Sequence, residues 1–479
     1  MPGSVAGSEH AESLRRRLLE RLAPYGQEHL LAFWDELGAA SQHALAREIE
    51  DIDFALLRRL FQTKSSEQNW SDLAGRAQSP PAFRLERGSS PHSLDEAERR
   101  GSEALARGEV GVILVAGGQG SRLGFDHPKG MFAIGPLSGA PLFQILIEKI
   151  LARARRHGAK IPLYLMTSPA THEETNEYLE RHHRFGLDKN LLRIFCQGTM
   201  PAIDASTGGV LLAAKDHVAL SPDGHGGMLA ALARSGSLDD VRRRGIKHLF
   251  YLQVDNPLTS MCDPAFIGYH LLDESELSSQ VIAKGTLREK LGNVVVIDGK
   301  LQILEYSDLN PLSDEILNRK DVDGSPVFWA GSIAVHVFDV AFLERVADDA
   351  EALPFHIARK VVPQVDSSGK AVEPQKPNAI KFERFIFDLL PAARKGIAVE
   401  VDQATSFAPV KNAPGSETDS PEVVQRQMID RDRRWLEQAG AKVHKGVAVE
   451  ISPLYAQDPQ ELRDRIEPGL VVGEPRYFR

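Results

Sequence analysis

Hydrophobic positions along this chain change their period near residue 96. Up to about residue 62 they recur near helical spacing: Leu30, Leu31, Phe33, Trp34 and Leu37 in "GQEHLLAFWDEL", then Phe54, Leu56, Leu57, Leu60 and Phe61 in "DFALLRRLFQ". That spacing predicts helices. Residues 63–92 are polar and rich in proline and serine, and read as a linker wrapping the surface. From 96 onward short apolar runs alternate with helical stretches. The runs are "VGVILVA" (110–116), "IPLYLMT" (161–167) and "HLFYLQV" (248–254); the stretches include "PLFQILIEKILARARRHG" and "EETNEYLERHHRF". Continuously apolar strands alternating with helices predict an α/β fold: a mixed, mostly parallel sheet covered on both faces. Such a sheet presents ligands at the C-terminal ends of its strands.

Two further patterns complete the outline. "LGNVVVIDGKLQILEYSDL" (291–309) predicts two strands joined by a tight Asp-Gly turn, an antiparallel insertion beside the main sheet. After "SFAPVKNAPGSETDSPE" (406–422) come one amphipathic helix and short strand-like pieces. The expected organisation is a helical N-terminal region and linker (1–95), a central α/β domain (96–405) and a small C-terminal domain (406–479).

Composition narrows the function classes. With 479 residues, 42% hydrophobic and 26% charged, the chain is long enough for two or three ordinary globular domains. A net charge of -9 argues against nucleic acid as the main partner. Cys196 and Cys262 are the only cysteines, which supports neither a disulfide framework nor a cysteine zinc site and fits a reducing compartment. No run of 18 apolar residues occurs, and no apolar segment follows Arg15–Arg17, so neither a membrane span nor a secretory leader is expected. The reading is a cytoplasmic protein.

The densest chemistry lies in "VILVAGGQGSRLGFDHPKG" (112–130), where glycines, Arg122 and Lys129 follow a strand. A dinucleotide fingerprint needs G-x-G-x-x-G; Gly118, Gly120 and Gly124 are spaced one residue too long. A Walker A loop needs Gly-Lys-Ser/Thr, and Lys129 follows a proline. What remains is a nest of backbone N–H groups over 117–121, suited to a base edge or to phosphates. Arg122 adds a forked donor and Lys129 a point charge.

"GGQGSRLGFDHPKG" resembles the signature of the UDP-sugar pyrophosphorylases, and among them the eukaryotic-type UDP-N-acetylhexosamine pyrophosphorylases. "QGTMPAI" (197–203), "SPDGHGGMLAAL" (221–232), "VDNPLTSMCDPAFIGYH" (254–270), "ILEYSDL" (303–309), "FWAGSIAVHVF" (328–338), "IKFERFIFDLL" (380–390) and "SFAPVKNA" (406–413) follow in the family's order. "GQEHLLAFWDEL" in the N-terminal region is similar as well, so the resemblance covers nearly the whole chain.

The resemblance implies a Rossmann-like nucleotidyltransferase type A fold and a uridylyltransferase that joins UTP to a sugar 1-phosphate and releases pyrophosphate. The sugar phosphate attacks the α-phosphorus in line, so catalysis is positioning plus charge neutralisation. It implies that Gly117, Gly118 and Gln197 hold the uracil, and that Arg122 and Lys129 hold the triphosphate and the departing pyrophosphate. Gly224 and Gly292 match backbone positions near nucleotide and sugar, and His225 stands in the nucleotide loop. Lys381 matches the lysine on the sugar phosphate, and Lys411 one that reaches the phosphates. Phe385 and Phe387 match aromatic residues near the hexose, although i, i+2 spacing separates them on a helix. Asp255, at the end of an apolar strand, is the expected ligand of Mg²⁺, with Mn²⁺ as the alternative. Asn256 beside it reads as structural. A monomer or weak homo-oligomer is expected, without nucleic acid or membrane.

Two positions depart from the N-acetylhexosamine pattern: His225 and Ser332 stand where asparagine is usual. Loss of a hydrogen bond matched to one sugar shifts preference strongly. N-acetylglucosamine 1-phosphate leads as acceptor, with glucose or galactose 1-phosphate, or mixed use, as the alternative. A non-catalytic nucleotide-sugar binder predicts missing cations, yet Arg122, Lys129, Lys381 and Lys411 are all present. A transferase using another base is disfavoured by Gln197. "KNAPGSETDSPE" reads as a hinge or lid.

Overall fold

The computed structural model describes residues 3–63, 69–85, 91–322, 324–347, 349 and 352–479. Parts of the expected linker, 64–68 and 86–90, lie outside the described residues. The chain forms two compact units. One comprises 1–68, 198–227 and 353–386; the other comprises 69–197, 228–352 and 387–479.

The larger unit holds the sheet that the apolar runs predict. Its strands are β1 (Ala82–Phe83), β2 (Val110–Val115), β3 (Leu163–Thr167), β4 (Leu192–Cys196), β5 (His248–Gln253), β6 (Leu277–Ala283), β7 (Asn293–Ile297), β8 (Lys300–Leu304), β9 (Ala330–Asp339) and β10 (Gly396–Glu400). Their order is β1-β10-β6-β9-β5-β2-β3-β4, with β7 bridging β9 and β8. Strands β5, β2, β3 and β4 run parallel, as do β1, β10 and β6; β9 alone in that path is antiparallel to both its neighbours. The predicted hairpin is β7–β8, and its turn residues Asp298 and Gly299 both have positive φ, 52° and 76°. That is what an Asp-Gly turn supplies.

Helices cover the sheet: α1 (Leu94–Ala106), α2 (Leu142–His157), α3 (Pro264–Leu272) and α4 (Pro421–Gln438). Helix α2 carries Phe143, Leu146 and Ile150 on one face and buries them completely against Leu114, Leu163 and Leu165 of the sheet. Each such side chain contributes on the order of 1.5–3 kcal/mol. The helix ends at Gly158 in the left-handed region (φ 61°), after Arg155, Arg156 and His157, which suit its negative end. Helix α4 opens with Ser420 as cap and Pro421 as first residue, and a separate apolar cluster around Leu436, Val449, Leu462 and Phe478 follows it.

In the smaller unit, Leu18, Leu22, Leu30, Trp34, Leu45 and Ile49 are buried with Ile203, Ile380 and Phe382. Two expectations change here and next door. The segment 26–37 is not one helix but two 3₁₀ turns, Glu28–Leu31 and Trp34–Glu36. Gly26 sits at φ 66°, and Gln27 spends its amide on Gly208 O (3.3 Å) and Val210 N (2.8 Å), which turns the chain before a helix can propagate. The described part of the supposed linker also has structure in the larger unit: a helix at Trp70–Arg76 and the edge strand β1. No described helix is long and apolar enough to cross a membrane.

Candidate active site

The glycine loop leaves the end of β2 and runs beside the end of β3. Ala116 N–H donates to Met166 O (2.8 Å), and Ser168 Oγ–H donates to Gly117 O (2.7 Å). Gln197, just past β4, is held by its own N–H to Thr167 O (2.8 Å) and is 9% exposed. A Cβ on Gly117 would stand 2.8 Å from Gln197 Oε1. Two residues eighty positions apart thus face each other because β2, β3 and β4 are adjacent parallel strands. Gly118 borders open space, and its carbonyl accepts from Lys129 N–H (3.0 Å).

That bond turns Lys129 toward the end of β5. Its Nζ lies 3.6 Å from Asp255 Oδ2, with both side chains mostly buried. Arg122 is exposed on the 3₁₀ turn Ser121–Leu123, and among the described residues it makes no ion pair. Asn256 is structural, as expected. Its Oδ1 accepts from Leu258 N–H (3.2 Å) and Ala408 N–H (3.0 Å), and its Nδ2 donates to Ser406 O (2.8 Å). With Val410 N–H on Asp255 O (2.9 Å), these bonds tie residues 406–410 to the end of β5, and both Lys411 and Asp255 act on the Asp419 carboxyl.

Asp419 was not legible in the sequence. Burial raises its carboxyl, Lys411 lowers it, and Asp255 raises it. Its carbonyl accepts from Lys411 N–H (2.8 Å) and Asn412 N–H (3.0 Å), and Gly415 N–H reaches Glu422 Oε2 (3.2 Å). The segment read as a hinge or lid is closed on itself by these bonds.

At the β7–β9 junction Ser332 N–H donates to Gly292 O (2.8 Å). Ser332 Oγ accepts from the N–H of Ala334 (3.3 Å), which has φ 55° inside a strand. Such a bulge re-aims neighbouring side chains. A Cβ on Gly292 would stand 2.9 Å from Glu305 Oε1, so Glu305 was another residue missed. Lys284 is a third: its Nζ donates to Asn293 Oδ1 (2.7 Å) and Leu287 O (2.8 Å), and burial pushes it down to about 8. Phe387 is half-buried in the 3₁₀ segment Ile386–Ala392.

The smaller unit carries the remaining expected residues. Gly224 has φ 83°, and a Cβ there would meet Arg384 O at 2.4 Å. Gly226 N–H donates to Arg384 O and Arg384 N–H to Asp223 O, both 2.8 Å. His225 Nδ1 accepts from Ile386 N–H (3.2 Å), which assigns its proton to Nε2. Its ring stacks on Phe385 (5.3 Å, 24°), which also lies against His356 (4.5 Å, 34°). Burial and the His356 charge push His225 down to about 4. Lys381 is half-buried on the strand Ala379–Glu383, opposite Ala358.

The donor set suits a divalent cation of the Mg²⁺ type. No group of three or more His, Cys, Asp or Glu able to hold a metal occurs among the described residues. A strand-end carboxylate, Asp255, beside Lys129, fits an ion that completes its shell with water and oxygens from outside the protein.

Comparison with known proteins identifies the family. The model of the UTP–glucose-1-phosphate uridylyltransferase family matches residues 54–429. The UDP-N-acetylglucosamine pyrophosphorylase of Saccharomyces cerevisiae is 37% identical over 441 residues, covering 90% of this chain and 90% of that protein. The UDP-N-acetylhexosamine pyrophosphorylase-like protein 1 of Xenopus tropicalis is 37% identical over 452 residues, covering 90% of this chain and 86% of its own. An Entamoeba histolytica crystal structure, provisionally named a UDP-N-acetylglucosamine pyrophosphorylase, superposes with a TM-score of 0.75 at 32% identity, covering 84% of this chain and 100% of its own. The chain belongs to the UTP–glucose-1-phosphate uridylyltransferase family.

Proposed function

We propose that this protein is a UTP:N-acetylglucosamine-1-phosphate uridylyltransferase, forming UDP-N-acetylglucosamine and pyrophosphate. The observation that carries the reading is the row at the strand ends: Gly117 against Gln197, then Lys129 against Asp255. It offers a base-edge reader and a cation–carboxylate pair in sequence, as a nucleoside triphosphate requires. The named relatives, most of them N-acetylglucosamine or N-acetylhexosamine enzymes, favour that acceptor over glucose or galactose 1-phosphate.

In this reading the Gly117 and Gly118 N–H groups and the Gln197 amide hold the uracil. Gly224 lets the backbone approach the nucleotide, and His225 donates from Nε2. Arg122 and Lys129 orient the triphosphate for in-line attack and stabilise charge on the leaving pyrophosphate. Lys381 neutralises the sugar phosphate, and Lys411 reaches the phosphates. The resemblance assigns Gly292, Ser332, Phe385 and Phe387 to the hexose, and the position of Glu305 beside Gly292 adds an acceptor for a sugar hydroxyl. A divalent cation, taken here as Mg²⁺ on Asp255, supplies Lewis-acid neutralisation of the phosphate oxygens when bound. The cytoplasm as compartment and a monomer or weak homo-oligomer as assembly belong to the same proposal, as does the division at residues 95 and 405.

The test is pyrophosphate release from UTP and Mg²⁺ with a panel of sugar 1-phosphates. Preference for N-acetylglucosamine 1-phosphate is expected. Preference for glucose 1-phosphate overturns the acceptor assignment, and no release with any sugar overturns the reaction.

A further inference from the structure

At the start of β7 a lysine locks a buried amide. Asn293 is 1% exposed. Its Oδ1 accepts from Lys284 Nζ (2.7 Å), and its Nδ2 donates to Leu291 O (3.0 Å). The side chain therefore reaches back across Gly292 to the residue before it. The amide cannot turn over in place, because its NH₂ would then face the ammonium and its oxygen the Leu291 carbonyl.

Lys284, just past the end of β6, is placed for this by its own backbone. Its N–H donates to Trp329 O (2.9 Å), and its Nζ also holds Leu287 O (2.8 Å). The ammonium thus serves two neutral oxygens, and among the described residues it makes no ion pair. A half-buried cation used this way costs desolvation with no paired carboxylate to offset it. What it secures is the orientation of one amide beside Gly292.

That glycine is the junction of the expected sugar site. Its carbonyl accepts from Ser332 N–H (2.8 Å), and an added Cβ would stand 2.8 Å from Ile303 Cγ2 and 2.9 Å from Glu305 Oε1. Asn293 pairs with Gly331 between β7 and β9, so it stands one residue from Gly292 and, across the ladder, one residue from Ser332. Without the Lys284 ammonium, Asn293 Oδ1 is left in the core with no donor, and the amide has to rotate or drag the strand to find one. Glycine, with its wide backbone freedom, is the residue that gives way.

We propose that Lys284 is a positioning residue for the sugar: through the Asn293 amide it holds Gly292 and Ser332 in place against Glu305. The inference rests on the uridylyltransferase reading and keeps Lys284 itself out of contact with substrate. It confines the effect to the sugar half, since none of these bonds involves Gly117, Gln197, Lys129 or Asp255.

The experiment is calorimetric titration of the full chain with UDP-N-acetylglucosamine and with UDP, each with Mg²⁺. Lys284→Met and Asn293→Leu should each weaken UDP-N-acetylglucosamine at least tenfold and UDP less than threefold. In the Asn293→Leu background, Lys284→Met should cost less than twofold more, because the lysine has lost the group it acts through. Single variants that keep the parent's affinity for UDP-N-acetylglucosamine overturn the proposal, as do variants that weaken both ligands equally. Losses that multiply in the double variant overturn it too, since they mean that Lys284 touches the ligand directly. A parent that binds neither ligand overturns the uridylyltransferase reading together with this inference; the other outcomes, with a parent that binds both, overturn the inference alone. Should Lys284→Met not fold, parent-like affinity of Asn293→Leu for UDP-N-acetylglucosamine overturns it.

Discussion

Gly117 and Gln197 stand so close that a single added methyl on the glycine would come within 2.8 Å of the glutamine's Oε1. The contact exists because β2, β3 and β4 run parallel and side by side. Gly117→Ala should push the amide out of place and raise the KM for UTP about tenfold, roughly 1.4 kcal/mol. The KM for the sugar 1-phosphate should stay within twofold. Initial-rate kinetics with each substrate varied in turn give both values.

Lys129 and Asp255 lie 3.6 Å apart at the end of β5. Lys129→Met and Asp255→Asn should each lower kcat about 10²–10³-fold, the scale of a lost electrostatic contact to a developing charge. Some loss of thermal stability should accompany each, since removing one partner leaves a mostly buried charge uncompensated. Chelation with EDTA should abolish pyrophosphate release, and added Mg²⁺ should restore it. A large fall in unfolding temperature with unchanged kcat would contradict the catalytic assignment.

His225 is held neutral, pushed from its ordinary value near 6.5 down to about 4 by burial and by His356. The unfolded chain binds this proton first, so the contribution to stability is complete above about pH 6.5 and is lost as pH falls toward 4. Over that window the native chain should lose on the order of 2–3 kcal/mol more than His225→Asn. Denaturant midpoints of both proteins at pH 7.0 and pH 4.5 measure the difference, and parallel curves would refute it.

Glu305 lies against Gly292, where the resemblance puts the sugar. Glu305→Gln should raise the KM for N-acetylglucosamine 1-phosphate 10- to 100-fold, about 1.4–2.7 kcal/mol, without changing the KM for UTP. Ser332→Asn is expected to favour the N-acetylated sugar over glucose 1-phosphate, since an amide replaces a hydroxyl at the bulge. Competition assays with both sugar phosphates read the ratio.

Much of this molecule is set by local chemistry and is therefore legible along the chain. Apolar runs such as 110–116 and 248–254 can be buried on both faces only within a covered parallel sheet. Asp298-Gly299 can turn a hairpin because both residues take positive φ. Asp255, Lys129 and Gln197 stand beside glycines or at strand ends, where a sequence marks them. Other features depend on which distant segments become neighbours. Residues 26–37 have helical spacing yet form two 3₁₀ turns, because Gln27 and His29 are drawn to Gly208 and Val210 of a remote hairpin. Asp419, Glu305 and Lys284 have partners only 3–13 residues away, yet no periodicity marks them, because those contacts form only once the hairpin and the 411–422 segment fold back. Spacing along a chain fixes the period of a face, whereas hydrogen-bond partners and desolvation are properties of the packed tertiary structure alone.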